Sequence, residues 1–155
     1  MAGHALTQPQ HAALPRPALT MAGKAAVALL ALLGVGAVAG GVALVMEPDG
    51  SVMQFSTALL AGSPFTDYFV PGLILGGLFG VGSFAVAILG LRHQPLAPFL
   101  AFAIGCAQMI WIVVELAIIR ELSFLHPVCF ALGLGIAAAS VSWGWPSLKA
   151  WRAGR

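Results

Sequence analysis

Charge is what this chain has least of: only 8% of its residues are Asp, Glu, Lys or Arg, against about a quarter in soluble globular domains. With 60% hydrophobic residues in a length of 155, the polar surface that a water-soluble domain needs is missing. A net charge of +2 is too small to argue for nucleic acid, whose capture depends on clustered cations. The two cysteines, Cys106 and Cys129, lie inside apolar runs and form no CxxC. They suggest no disulfide framework, read as small packing residues, and leave the redox compartment open. Motifs that carry chemistry are missing too. The chain has no P-loop, no dinucleotide fingerprint, no HExxH and no haem-attachment CxxCH. His93 is single at its turn, so no pair of axial haem ligands stands at matching depth. The expectation is no cofactor, no metal and no catalytic set.

What is there is a series of long apolar runs, and backbone polar groups in hydrocarbon must be satisfied internally. The runs are continuous rather than alternating, which selects helices over a β-barrel. The spacing predicts an all-α membrane protein, a four-transmembrane-helix bundle with a short extracytoplasmic interfacial helix. Its spans cover about 24–46, 68–91, 96–119 and 123–145, each close to the roughly 20 residues that cross a bilayer. Residues 1–23 read as a flexible tail. Pro9, Pro15 and Pro17 discourage a helix there, and His4 and His11 read as solvated. A cleaved signal peptide competes for the first run, because Ala37-Val38-Ala39 resembles a small-residue cleavage site. Apolar character continuing to Met46 favours a retained span. Pro146 is expected to turn the chain into a basic tail over 146–155.

Between the first two spans, residues 47–67 are too apolar for an exposed loop and too broken for a span. Glu47-Pro48-Asp49-Gly50 is a turn by composition. Ser51 followed by Gln54 fits a capping box, predicting a short helix with Val52, Phe55, Leu59 and Leu60 on one face and Gly62 at its end. Asp67 is placed to cap the second span, with Pro71 in its first turn. Arg92-His93-Gln94-Pro95 and the stretch from Arg120 to His126 are short connections that make neighbours antiparallel.

Lysine and arginine set the orientation. Arg16, Lys24, Arg92, Lys149, Arg152 and Arg155 fall on the side of the termini, and only Arg120 falls on the other. The positive-inside rule then places both termini in the cytoplasm. Trp143, Trp145 and Trp151 fall where an inner aromatic belt is expected.

Small residues recur at helical spacing: Gly36 and Gly40; Gly72, Gly76 and Gly80; Ala97, Ala101 and Gly105; Ala131, Gly135 and Ala139. Residues four apart share a helix face, and small ones let backbones approach. The stripes read as packing within the bundle. A sharper reading turns the glycine ladder of the second span towards another subunit.

Glu115 is the one acidic residue inside a span, and intramembrane charge is costly enough to raise a functional hypothesis. Gln108 and Trp111 share its face, giving a polar-edged stripe that reads as a ligand or ion path or as interhelical glue. Arg120, Glu121 and His126 form an outer polar cluster beside it. A plain structural role, with Glu115 snorkelling or pairing at the edge, accounts for the same residues. Glu121 and His126 fall short of the three or four ligands of a metal site.

The segment Gly62-Ser63-Pro64-Phe65-Thr66-Asp67-Tyr68, continued by Pro71-Gly72-Leu73-Ile74-Leu75, resembles one in small four-span bacterial membrane proteins of uncharacterised function, mostly of actinobacterial type. The resemblance covers the cap and second span. It implies a multi-pass protein of the bacterial plasma membrane and supplies no catalytic residues. Three functional readings stand at this point. The first is a non-enzymatic accessory, scaffold or self-associating subunit whose partners are the bilayer, a second copy or another membrane protein. The second is a small transporter or channel using Glu115 in a proton- or cation-linked path. The third is a membrane enzyme built on the outer polar cluster.

Overall fold

A computed structural model describes residues 16–153. Four helices in it are long and apolar enough to cross a membrane: α1 (Met21–Met46), α2 (Phe69–Leu91), α3 (Ala97–Ile119) and α4, whose apolar part is Leu125–Pro146 and which runs on as helix over Leu125–Ala153. Among the described residues there is no strand. The short α2–α3 and α3–α4 connections, and the return of the chain through the cap between α1 and α2, make successive helices antiparallel. Each packs on its neighbours in a circuit α1–α2–α3–α4–α1, leaving α1 and α3 as a diagonal with little contact.

Local chemistry sets the helix ends. Thr20 caps α1 by accepting the Gly23 N–H at 3.2 Å. Asp67 Oδ1 accepts the Phe69 N–H at 2.9 Å and so starts α2. Arg120, at φ 57, turns left-handed and closes α3. At the start of α4, Ser123 Oγ accepts the Leu125 N–H at 3.4 Å.

The core has three levels. Leu30, Leu33, Ala37, Phe79, Val86, Ala87, Ala101, Ile104 and Ile136 fill the centre. Ala26, Ala97 and Trp143 close the end near the termini, and Leu44, Leu60 and Tyr68 close the opposite end beneath the cap.

Four expectations need correction. The cap is not one amphipathic helix but two single turns of 3-10 helix, Ser51–Met53 and Thr57–Leu60. Gln54 lies between them at φ 56, so it cannot sit in a helix and reach back to Ser51. Asp49 does the capping instead, with Oδ1 accepting the Ser51 N–H at 2.9 Å. That hydrogen bond, with help from the Ser51 side chain, holds the Asp49 carboxyl below the usual carboxylate range.

Pro146 does not end α4, which continues helically to Ala153. Proline removes one N–H and crowds the carbonyl four residues back, which kinks a helix without obliging it to stop. The approach to α1 is also not all tail. Pro17 is buried, and the helix begins at Met21 rather than Lys24. His4, His11, Pro9 and Pro15 lie outside the described residues, as does the side chain of Trp151. Trp143, expected in a surface belt, is only 1% exposed, while Trp145 is 52% exposed.

Candidate functional site

Two close helix contacts fix everything else. A Cβ added to Gly41 of α1 would lie 2.5 Å from the Gly76 Cα of α2, so the two backbones touch. Gly72 meets Leu44 in the same way at 2.8 Å, and Gly80 meets Val38 at 2.6 Å. Gly72, Gly76 and Gly80 therefore all face α1 within the chain. Gly76 and Gly80 lie in Leu75–Val81, a π-helical segment of α2, with the Gly82 N–H reaching back five residues to the Gly77 carbonyl.

The second contact joins α3 to α4. A Cβ on Gly105 would lie 2.7 Å from the Gly133 carbonyl oxygen and 2.8 Å from the Ala137 nitrogen. Ala97 and Ala101 are fully buried. Gly135 looks to Leu29 of α1 at 3.3 Å, Gly40 to Leu75 at 3.2 Å, and Gly36 to open space. Sequence spacing did not single out Gly41, Gly133, Gly23 or Gly90, although each makes a close contact. Gly41 lies four residues after Ala37, a small pair at the same spacing as the stripes that were singled out, and it is this pair that faces Gly76.

One groove follows from the α1–α2 contact. Its floor is Gly41, Gly72, Gly76 and Gly77; valines of α1 form one wall, and Leu73 and Val81 of α2 form the other. It holds about 310 Å³ and opens outward from the bundle. A Cβ at Gly77 would meet nothing within 4 Å.

Gln108, Trp111 and Glu115 share one face of α3 but not one environment. Gln108 is 2% exposed, and its Oε1 has no hydrogen-bond partner. Trp111 packs edge-on against Phe79 of α2 at 5.7 Å between centroids. Glu115 is half-buried at the cap end, within electrostatic reach of Tyr68 and of His126 and Cys129 on α4. Tyr68 and Cys129 belong to this group, and sequence order alone did not bring them to Glu115.

Tyr68 ties the cap down. Its N–H donates to the Pro48 carbonyl at 2.8 Å and its hydroxyl to the Ser56 carbonyl at 2.9 Å. Burial, and then the charge of Glu115, push its phenol above the ordinary value. His126 is 8% exposed. Its Nδ1 lies 3.0 Å from the Ser123 nitrogen and 3.3 Å from the Ser123 carbonyl oxygen, so the ring is held against the turn that starts α4. Arg120 and Glu121, by contrast, are exposed. The outer polar cluster therefore divides into a buried histidine and two surface charges.

Ser83 of α2 is fully buried, and its Oγ also lacks a partner. Among the described residues, no group of three or more His, Cys, Asp or Glu stands ready to hold a metal ion. No family model, no curated protein and no solved structure matches this chain.

Proposed function

We propose that this chain is a small integral membrane protein with four spans, both termini cytoplasmic and the cap on the opposite face. In this reading it acts without catalysis, as an accessory or self-associating subunit. The groove over Gly41, Gly76 and Gly77 carries the reading. In hydrocarbon, helices associate through close packing over small residues rather than through a hydrophobic drive. The groove offers a backbone floor, and its walls are themselves ridges of Val38, Val42 and Val45 on one side and Leu73 and Val81 on the other. A second copy related by a twofold axis can lay its ridge in this groove while receiving the partner's ridge in its own.

Gly77→Leu tests this, because Gly77 lines the groove and a Cβ added there meets no other atom within 4 Å. The expected result is a loss of dimer in native mass spectrometry and in bilayer cross-linking, with the monomer still folded. An unchanged dimer fraction, or a wild-type protein that is monomeric in its own membrane, overturns self-association.

A second reading, a small proton- or cation-linked transporter, draws on one observation: Glu115, at the cap end of α3, is within electrostatic reach of His126 and Tyr68. Against it, Gln108 further along α3 is enclosed, so the described polar groups make no continuous file. It predicts a pH-dependent flux into liposomes that Glu115→Gln abolishes; equal flux in the variant removes Glu115 from any path. The enzyme reading has the least support, since Arg120 and Glu121 are exposed while His126 is buried.

A further inference from the structure

A short strap of chain enters α1 at the end of the bundle that carries both termini. Two of its carbonyls hold it to the bundle. The Pro17 oxygen lies 3.2 Å from His93 Nδ1 in the α2–α3 turn, and the Ala18 oxygen accepts from Trp143 Nε1 at 3.0 Å. The Trp143 ring also fills the space over Gly23 and Gly90.

A cation stands next in sequence to each tie. Arg16 precedes Pro17, Arg92 precedes His93, and Lys24 follows Gly23; all three are exposed. Lys149, on the part of α4 beyond Pro146, is exposed too, with its Nζ 5.6 Å from the centre of the Trp145 ring. The chain's 5 acidic residues are all elsewhere. Glu47, Asp49 and Asp67 belong to the cap, Glu115 to the cap half of α3, and Glu121 to the connection after it. No acidic side chain offsets the cations at this end.

We propose that this end is a docking surface for anionic phospholipid headgroups, with Arg16, Lys24 and Arg92 gathered by the strap onto the phosphate layer. The strap positions Arg16, because without the His93 and Trp143 ties the residues before Met21 would leave the bundle. Lipid is the occupant that the geometry favours over a polyanion from solution. The cations stand where long apolar helices end, which is the depth of the headgroups, and each contributes to attraction for an anionic surface.

The test is native mass spectrometry of the full chain with phosphatidylglycerol or phosphatidylcholine of identical acyl chains. The expected result is preferential retention of phosphatidylglycerol. Arg16→Gln with Arg92→Gln should weaken that retention about 25-fold, at about fivefold per cation, and leave phosphatidylcholine unchanged. Arg120→Gln at the cap end should change neither. His93→Gly tolerates the positive φ of 54 at that position. With the Trp143 tie still in place, it should reproduce part of the loss caused by Arg16→Gln and add nothing when the two are combined. Equal retention of both lipids by the wild type, or an undiminished preference in the Arg16/Arg92 variant, overturns the proposal. An effect of Arg120→Gln as large as that of Arg92→Gln would also overturn it, by showing that position does not matter.

Discussion

The Trp143 indole N–H donates to the Ala18 carbonyl at 3.0 Å, joining α4 to the strap before α1 across 125 positions of sequence. The same ring lies against Gly23 and Gly90, so one side chain closes three helices at this end. Trp143→Phe keeps most of the ring and loses the hydrogen bond. Ala18 is exposed, so water can partly replace the lost donor, and the expected cost is about 1 kcal/mol. Trp143→Ala leaves a cavity as well and should cost about 3–5 kcal/mol. Unfolding by denaturing detergent in mixed micelles reads both. Equal losses would mean that the ring's packing contributes nothing beyond its N–H.

Gly41 and Gly36 are five residues apart on α1 and should respond oppositely to the same change. At Gly41 a methyl group would meet the Gly76 backbone, which is not free to yield. Gly41→Ala should therefore destabilise by about 1–3 kcal/mol through overpacking. At Gly36 the added methyl meets nothing within 4 Å. Alanine there should be neutral or stabilising, by up to about 1 kcal/mol, because glycine is the poorer helix former. The order of the two midpoints in parallel unfolding curves decides the matter. A Gly36 variant less stable than the Gly41 variant would mean that α1 is turned the other way.

This pair also marks what could be read from the sequence. The long apolar helices were legible because run length and the scarcity of charge depend on no neighbour: the expected 68–91 and 96–119 stand against helices Phe69–Leu91 and Ala97–Ile119. The glycine stripes were legible as stripes, but not the face each one turns inward. That depends on which helix lies alongside, information held in the three-dimensional packing and not in four-residue spacing. The cap misled for a local reason. Ser51 and Gln54 have the right types at the right interval, yet Gln54 adopts a left-handed conformation and Asp49 takes the capping role. Trp143 misled for a tertiary one. Tryptophan near a span end fits a surface belt unless a glycine opposite leaves room for it, and here two do. Of the candidate site, the shared face of Gln108, Trp111 and Glu115 followed from helical periodicity. The approach of Tyr68 and Cys129 to Glu115 required the fold.

Tyr68 is the chain's 1 tyrosine, so tyrosinate absorbance reports on it alone. Burial first, and the charge of Glu115 second, raise its phenol above the ordinary value of about 10. A phenol that ionises less readily in the fold than in the unfolded chain contributes stability that is fully present below the unfolded value. That contribution is lost as pH rises through the folded one. The native protein should therefore titrate above pH 10, and the cap should loosen over the same range as the hydroxyl loses its bond to Ser56. Glu115→Gln should lower the midpoint by removing the charge, and Tyr68→Phe should abolish the transition. A native midpoint that matches the denatured chain would place Tyr68 in open contact with water.

Ser83 Oγ and Gln108 Oε1 are buried without a hydrogen-bond partner. The contacts of Phe79 with Trp111, one turn away on each helix, set them at a similar level of the bundle. A buried polar group with no partner subtracts from stability, and replacing it with an apolar group of like shape is neutral or favourable. Ser83→Ala removes a hydroxyl at little cost in volume, and Gln108→Leu replaces the amide with a branched hydrocarbon of comparable bulk. Each should leave the midpoint of detergent unfolding unchanged or raise it, by up to about 1–2 kcal/mol. The two effects should add if the groups act separately and fall short of additive if they bond to each other. A drop of more than about 1 kcal/mol in either single variant would mean that the group is satisfied in the membrane by a partner whose loss is then felt. In that case Gln108, two turns along the same face from Glu115, would return to consideration as part of a polar path.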